Sequence, residues 1–442
     1  MGGGENIWTA GASAPSLPEV HRTLSVPQSS GFIRKLIAFA GPGFLVAVGY
    51  MDPGNWATDL AAGSKYNYTL LSVIMVSNLM AILLQALAIK LGVVMERDLA
   101  QACREQFSRR VSFGLWIFAE IAIAACDLAE VIGSAIALNL LFHIPLLWGV
   151  CLTALDVLFI LFLQQKGFRF LEALVITLIG MISVCFGMEI LFSHPIWTGL
   201  AHEFFVPSPQ IFADPGMLYI AIGILGATVM PHNLYLHSAI VQTRDFQRSR
   251  EGKREAIRFS TIDSTVALTI ALFVNAAILV VSAATFYTRG YNQVAEIQDA
   301  YKLLSPLLGV SGASTVFALA LLASGQNSTL TGTLAGQVVM EGFLKIRLRP
   351  WLRRLLTRAL AIIPAVIVTA FWGVRGTANL LVLSQVILSM QLSFAVVPLV
   401  MFTSDKRKMG EFVNSQWLRN LSWFTAVLIA VLNGWLLIQL FR

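Results

Sequence analysis

The stretch GPGFLVAVGYMDPGNWATDLAAG (Gly41–Gly63) is apolar enough to enter a bilayer, yet Asp52, Pro53, Gly54 and Asn55 stand in its middle. Proline removes a backbone donor and clashes with the preceding turn, and glycine adds backbone freedom, so a helix should break there. A second stretch, GILGATVMPHNLYLHSAIV (Gly223–Val241), repeats the pattern, with Met230, Pro231, His232 and Asn233 at the corresponding depth. The two prolines are 178 residues apart. Plain proline kinks are common in membrane helices, but a kink does not account for Asp52. A carboxylate at the bilayer centre costs at least ~2.5–3.5 kcal/mol on insertion scales and is normally kept for function.

The rest of the chain agrees with a membrane setting. Of 442 residues, 57% are hydrophobic and 12% charged, with a mean hydropathy of +0.73, whereas soluble domains run to about 25% charged. This excludes a disordered chain and argues against a soluble enzyme or a nucleic-acid binder. Residues 1–33 contain no apolar run, so no cleavable signal peptide is expected, and their Gly, Ser and Pro content reads as a disordered cytoplasmic tail. Taking about 20 residues per helical crossing, eleven spans follow. They lie near 36–62, 70–94, 112–142, 147–164, 169–193, 217–242, 261–287, 312–343, 355–373, 377–402 and 420–441. With the N-terminus inside, 26 of the 31 Lys and Arg residues fall on the inner side, as the positive-inside rule requires, so the net charge of +7 reflects topology. Four cysteines form no CxxC, and neither a zinc site nor a disulfide framework is expected.

Spans 1–5 (36–193) and 6–10 (217–402) form two five-helix halves of opposite starting orientation, and span 11 (420–441) stands outside the repeat. The expected architecture of 34–442 is an all-α polytopic membrane domain. Interrupted segments at matching places in two halves point to a transporter's midplane binding site. Asp52 offers a hard charged oxygen, Asn55 a neutral oxygen and Met230 a thioether sulfur. Unwound backbone near Gly49 and Ala227 frees carbonyl oxygens. Oxygen ligands alone suit Mg2+, Ca2+ and Mn2+ alike, and a soft sulfur shifts preference toward transition metals. One fixed negative charge suits a carrier that must release its cargo.

DPGNWATDL in span 1 and MPHN in span 6 resemble the paired signatures of the Nramp divalent-metal transporters. GQNSTLTGTLAGQVVMEGF (Gly325–Phe343) in span 8 and SQVILSMQLSF in span 10 resemble that family too. The chain departs from the family pattern at Ser393, where proline is expected, and at Met95-Glu96, where Thr-Gly is expected. The resemblance implies a LeuT-like fold of two inverted five-helix repeats plus an eleventh helix, and proton-coupled import of Mn2+ and Fe2+ by alternating access. It further implies that Asp52, Asn55 and Met230 bind the metal through side chains, with Ala227 and Gly49 contributing carbonyls. Gln385 or Gln391 in span 10 can add an amide oxygen, and Gln385 is favoured because it lies deeper in the apolar run.

Span 3 carries Glu120, Asp127 and Glu130 within the membrane, the last two on one helix face. Carboxylates in low dielectric are suited to a proton relay, and His232 lies two residues from Met230. The resemblance assigns these groups to the proton route, with Asp52 as first acceptor; Arg354 and Arg358 at the inner end of span 9 can pair with the span 3 acids. No nucleotide-binding motif is present, so a gradient is the expected driving force, no cofactor is expected, and a single chain is expected to suffice. The short outer loops suggest the cell membrane of a prokaryote. A sodium-coupled carrier of organic solutes and a Mg2+ or trivalent-metal carrier are the alternatives on the same scaffold. Asp52 opposes an anionic solute and Met230 opposes Mg2+. An intramembrane hydrolase lacks its HExxH or GxGD motif, and a passive channel would not need the carboxylate relay.

Overall fold

The computed structural model describes residues 15–18, 20–27, 31–155, 166–291, 294, 296–344, 356, 359, 362–368, 370–371 and 376–440. Spans 2, 3, 5, 7, 8, 10 and 11 are single helices, Leu71–Met95, Arg109–Phe142, Phe168–Ser193, Arg250–Thr285, Ala313–Leu344, Thr377–Thr403 and Gln416–Leu440. Span 4 begins with the apolar helix Leu146–Leu155, and its remainder lies outside the described residues. Span 9 is helical wherever it is described, and Arg354 and Arg358 lie outside the described residues. By length and composition seven described helices can cross a membrane, or eight counting the bent first span. The 32-residue helix of span 8 is missing from that set because of its polar run GQNSTLTGT (Gly325–Thr333), nearly all of it buried. Those polar groups face protein, so the helix needs no lipid-compatible surface there.

Burial separates a core from a rim. The apolar window of span 6 is 94% buried, whereas those of spans 5 and 11 are 33% buried. Large apolar side chains such as Phe273, Trp417 and Phe424 point outward, as hydrocarbon surroundings allow and water does not.

Span 1 is broken twice. The expected interruption at Asp52 separates the short 3-10 turn Gly49–Met51 from the helix Pro53–Tyr66. A further bend of 44° separates Phe32–Phe39 from Pro42–Met51. Gly41 makes that corner at φ 133, a conformation closed to most residues, and Pro42 starts the next helix. Span 6 breaks once, between Pro215–Thr228 and Pro231–Ile240.

The expectation of a disordered tail over 1–33 does not hold for the described part of it. Ser16 and Leu17 are buried, and Leu24–Ser25 pairs in parallel with Arg244–Asp245 just after span 6. Contacts with residues hundreds of positions away hold the segment, so local composition carries no sign of it. This face, inner in the topology read from the charges, also carries the helix Leu99–Gln106.

Spans 6 and 10 touch backbone to backbone: a Cβ added to Gly226 would lie 2.0 Å from the carbonyl oxygen of Gln385 and 2.7 Å from the nitrogen of Ser389. Small residues permit such approaches between membrane helices. We expect Gly226→Val to cost roughly 1–3 kcal/mol as overpacking, seen as a lower thermal midpoint in detergent and a loss of the monodisperse gel-filtration peak.

Candidate metal site

Asp52 adopts an extended backbone (φ −70, ψ 166) and caps the helix that follows, its Oδ1 accepting from the Asn55 N–H at 2.8 Å. Pro53 then opens that helix without a donor, so the carbonyl of Gly49, four residues earlier, has no N–H to pair with in the usual helical manner. It receives only a long contact, 3.4 Å, from the Asp52 amide. Span 6 repeats the arrangement: Met230 is extended (φ −68, ψ 120), Pro231 opens the next helix, and Ala227 lies four residues before it. Each break therefore leaves a carbonyl without its helical donor near a capping residue, Asp52 in span 1 and Met230 in span 6.

The two breaks meet. A Cβ on Gly49 would lie 3.1 Å from Met230 Sδ and 2.4 Å from Asn233 Nδ2. Asn233 donates to the carbonyl of Val46 in span 1 at 3.4 Å. Gln385 leans on the first break, since a Cβ on Gly54 would fall 1.7 Å from its Nε2. Its Nε2 donates to Ser384 Oγ at 3.1 Å, while Gln391 neighbours Tyr235. Asp52, Asn55, Met230, Ala227 and Gln385 are all at most 1% exposed. Asn55 Oδ1 and Gln385 Oε1 are buried with no hydrogen-bond partner among the described residues. Buried amide oxygens left without a donor are costly, and a cation would satisfy both. Among the described residues no three His, Cys, Asp or Glu gather around a point; the donors here are one carboxylate, two amides, a thioether and two carbonyls.

The acids of span 3 approach the same place through a residue the sequence gave no reason to single out. Cys126 Sγ lies 3.9 Å from Asp52 Oδ2 and 3.6 Å from Glu130 Oε1. It sits one turn before Glu130 on the same face, which was the available signal. Glu130 and Asp127 both border span 8, where a Cβ on Gly332 would lie 3.0 Å and 3.1 Å from their carboxylates. Glu120 lies away from this group toward the inner end of span 3 and accepts from Trp116 Nε1 at 2.9 Å. His232 is buried, its Nδ1 without a partner among the described residues. His237 is tied instead to Gln85 Oε1 at 2.9 Å, and Gln85 Nε2 donates to the Tyr50 hydroxyl at 2.8 Å.

Below the site the inner corner of span 1 is clamped. Arg244 donates to Glu172 Oε1 and to the Ala40 carbonyl, both at 2.6 Å, and Arg169 reaches Glu172 Oε2 at 3.0 Å and the same carbonyl at 2.6 Å. Asp263 accepts from the Gly43 amide at 2.7 Å and from Gly41. Burial pushes the Arg244 guanidinium below its ordinary pKa, and Glu172 opposes that shift. The sequence assigned Glu172 and Asp263 no role because Arg244 and the Gly41 and Gly43 amides, which place them, are distant in the chain.

A family model described as natural resistance-associated macrophage protein-like, Nramp, matches residues 43–439. A protein of Nostoc named divalent metal cation transporter MntH is 67% identical over 425 residues, covering 96% of both chains. A protein of the same name from Listeria innocua is 66% identical, covering 97% of this chain and 96% of its own. The solved structure of a manganese transporter from Eremococcus coleocola superposes with a TM-score of 0.87 at 43% identity, covering 95% of this chain and 90% of that one. Mhp1, a nucleobase-cation-symport-1 family transporter, matches at 14% identity and a TM-score of 0.63 over 96% of this chain and 95% of its own, which shows the LeuT-like fold alone.

The clamp supplies a test of its own. Arg244 and Glu172 are 1% and 2% exposed in their side chains, and removing one partner of a buried pair typically costs about 3–5 kcal/mol. We expect Arg244→Ala to lower the thermal midpoint of the purified protein strongly, and the double replacement Arg244→Met/Glu172→Leu to lower it much less. Thermal unfolding of the two variants in detergent checks this.

Proposed function

Because the chain belongs to the Nramp family of multi-pass membrane transporters, we propose that it imports divalent transition-metal ions, Mn2+ and Fe2+, together with protons, by alternating access. The observation that carries the reading is the meeting of two helix breaks, which brings Asp52, Asn55 and Met230 to one dry place with two amide oxygens unsatisfied. The names of the relatives and of the Eremococcus coleocola structure support the cargo class.

The chemistry of the reading is as follows. The cation gives up hydration water for Asp52 and Asn55 side-chain oxygens, Met230 sulfur and the carbonyls of Ala227 and Gly49, with Gln385 adding its amide oxygen as the site closes. The thioether holds a borderline-soft ion better than Mg2+ or Ca2+, which oxygen ligands alone would accept as readily. A proton leaving Asp52 passes to Glu130 and Asp127, next to which Cys126 stands, and onward toward Glu120, Arg354 and Arg358; His232 lies beside the metal. The metal then leaves through spans 1 and 6 once the inner clamp opens, while the proton has its own path along span 3. The cargo enters from a cavity of about 550 Å3 at the other ends of spans 1, 6 and 10, lined by Lys65, Tyr219 and Val382. Each chain holds a complete site, so a monomer in a prokaryotic cell membrane, N-terminus inside and C-terminus outside, suffices. Mg2+ transport and sodium-coupled solute transport are the rival readings on this scaffold; the sulfur opposes the first and the buried carboxylate the second.

Uptake of Mn2+ into proteoliposomes containing a pH probe tests the reading. Wild type should take up Mn2+ saturably in excess Mg2+ and acidify the lumen, and Asp52→Ala should abolish both. An uptake that follows Na+ and an organic solute instead would refute the metal cargo.

Two further variants separate roles. Met230→Ala should still carry Mn2+ but become inhibited by Ca2+, and unchanged selectivity would remove the role given to sulfur. Asp127→Asn should lower proton entry more than metal entry. An equal loss of both fluxes would mean general damage.

A further inference from the structure

Two consecutive residues of the N-terminal segment bind acids of opposite repeats. Ser16 Oγ donates to Asp98 Oδ2 at 2.7 Å, and the Leu17 N–H donates to Glu341 Oε2 at 3.0 Å. Asp98 caps the helix Leu99–Gln106 that follows span 2, in the first repeat, and Glu341 closes span 8, in the second. The two elements touch where the segment crosses them, since a Cβ on Gly342 would lie 3.0 Å from Asp98 Oδ1. Arg104 reaches the carbonyl of Gly342 across the same seam.

The crossing continues along the chain. The Leu17 side chain is 2% exposed within the main apolar core, and Val20 and Leu24 pack against that core. The Arg22 amide donates to the Gln242 carbonyl at 3.1 Å, and Leu24 and Ser25 align with Arg244 and Asp245. On its other side the segment borders Lys166, Phe168 and Leu171 at the start of span 5. Leu17 accepts φ 54, a strained backbone for a bulky residue. Strain of this kind persists only where surrounding contacts enforce it.

We infer that the described N-terminal residues 16–18 and 20–25 form an inner latch of the transport cycle, a strap fastened to both repeats that must release before the inner side can open. The inference rests on the alternating-access reading above. Opening the inner side moves one repeat against the other, and a strap of ten residues hydrogen-bonded to both cannot stay attached at each end. The Phe32–Phe39 piece of span 1 is held on the same face by the clamp of Arg244, Glu172 and Arg169. The latch residues touch no cargo; they act on the rate of inward opening and leave the outer metal site alone.

The aligned pair Ser25 and Asp245 offers a lock, both side chains being exposed. The variant Ser25→Cys/Asp245→Cys, with exposed Cys151→Ser, is reconstituted and assayed for Mn2+ before and after oxidation. Reduced protein should transport like wild type. Oxidised protein should still bind Mn2+ from the outer side but turn over at least tenfold more slowly, and a reductant should restore it. A strap that is only an anchor predicts equal uptake in both states, and that result overturns the latch. Hydrogen exchange of the unaltered protein gives a second reading: the amides of Leu17 and Arg22 should exchange severalfold faster during Mn2+ turnover than without metal, and unchanged exchange also overturns it. Absence of Mn2+ uptake in wild type would strike the transport reading instead.

Discussion

Pro53 and Pro231 have no N–H to return to the carbonyls of Gly49 and Ala227, and within a bilayer no water stands by to replace it. A helix that lost its hydrogen bonds in this way facing lipid would not persist. The two breaks persist because they are sheltered: Gly49 lies against Met230 and Asn233 of the second break, and Gly54 lies against Gln385 of span 10. Each break shelters the other from hydrocarbon and leaves a small polar space with oxygen acceptors in excess of donors. Asn55 Oδ1 and Gln385 Oε1 are the visible remainder of that imbalance. A cation would remove it, as the proposed cargo does.

The same low dielectric governs the surroundings of the site. Carboxylates buried this deeply are tolerable only when they are shared, capped or protonated. Asp263 is capped by the amides of Gly41 and Gly43, Glu172 is shared by Arg169 and Arg244, and Asp52 is capped by Asn55. Asp127 and Glu130, by contrast, share a short stretch of span 3 with Cys126 and border Gly332 across from them. Asp263 and Glu172 thus hold the shape of the inner corner of span 1, while Asp127 and Glu130 lie on span 3 near Asp52, with Cys126 between Glu130 and Asp52.

What could be read from the sequence follows from the range of the interactions involved. The breaks were legible because proline, glycine and an acid inside an apolar run contradict their neighbours locally. The described spans were legible as local apolar runs, although span 8 carries a polar run where it is buried against protein. The corner at Gly41 carried a local signal, Gly-Pro, that stood too close to the start of the span to be separated from it. Cys126, Glu172 and Asp263 were not singled out, since Asp52, Arg244 and the Gly43 amide, the partners that give them their place, lie far away in the chain, and the nearby Glu130 and Arg169 did not reveal them. The tail is the extreme case. Leu17 belongs to a segment whose composition argues for disorder, and it is ordered by residues far along the chain, among them Asp98 and Glu341, 82 and 324 residues away from their partners in the strap.

The two ends of the path are closed by different kinds of contact. Toward the cavity, Thr58 lies one turn beyond Asn55, and a Cβ on Gly223 would touch its methyl group at 3.2 Å and Val382 at 3.7 Å. That closure is thin and largely apolar, with no ion pair at the contact between these three residues. Toward the tail, the closure contains the arginine pairs on Glu172, the capped Asp263 and the strap with its two acids. Apolar contacts part without leaving charges bare, whereas separating buried ion pairs exposes each partner to a cost that water must repay. The inner closure therefore needs hydration as it opens and the outer one does not. An asymmetry of this kind favours the state closed on the side of the tail.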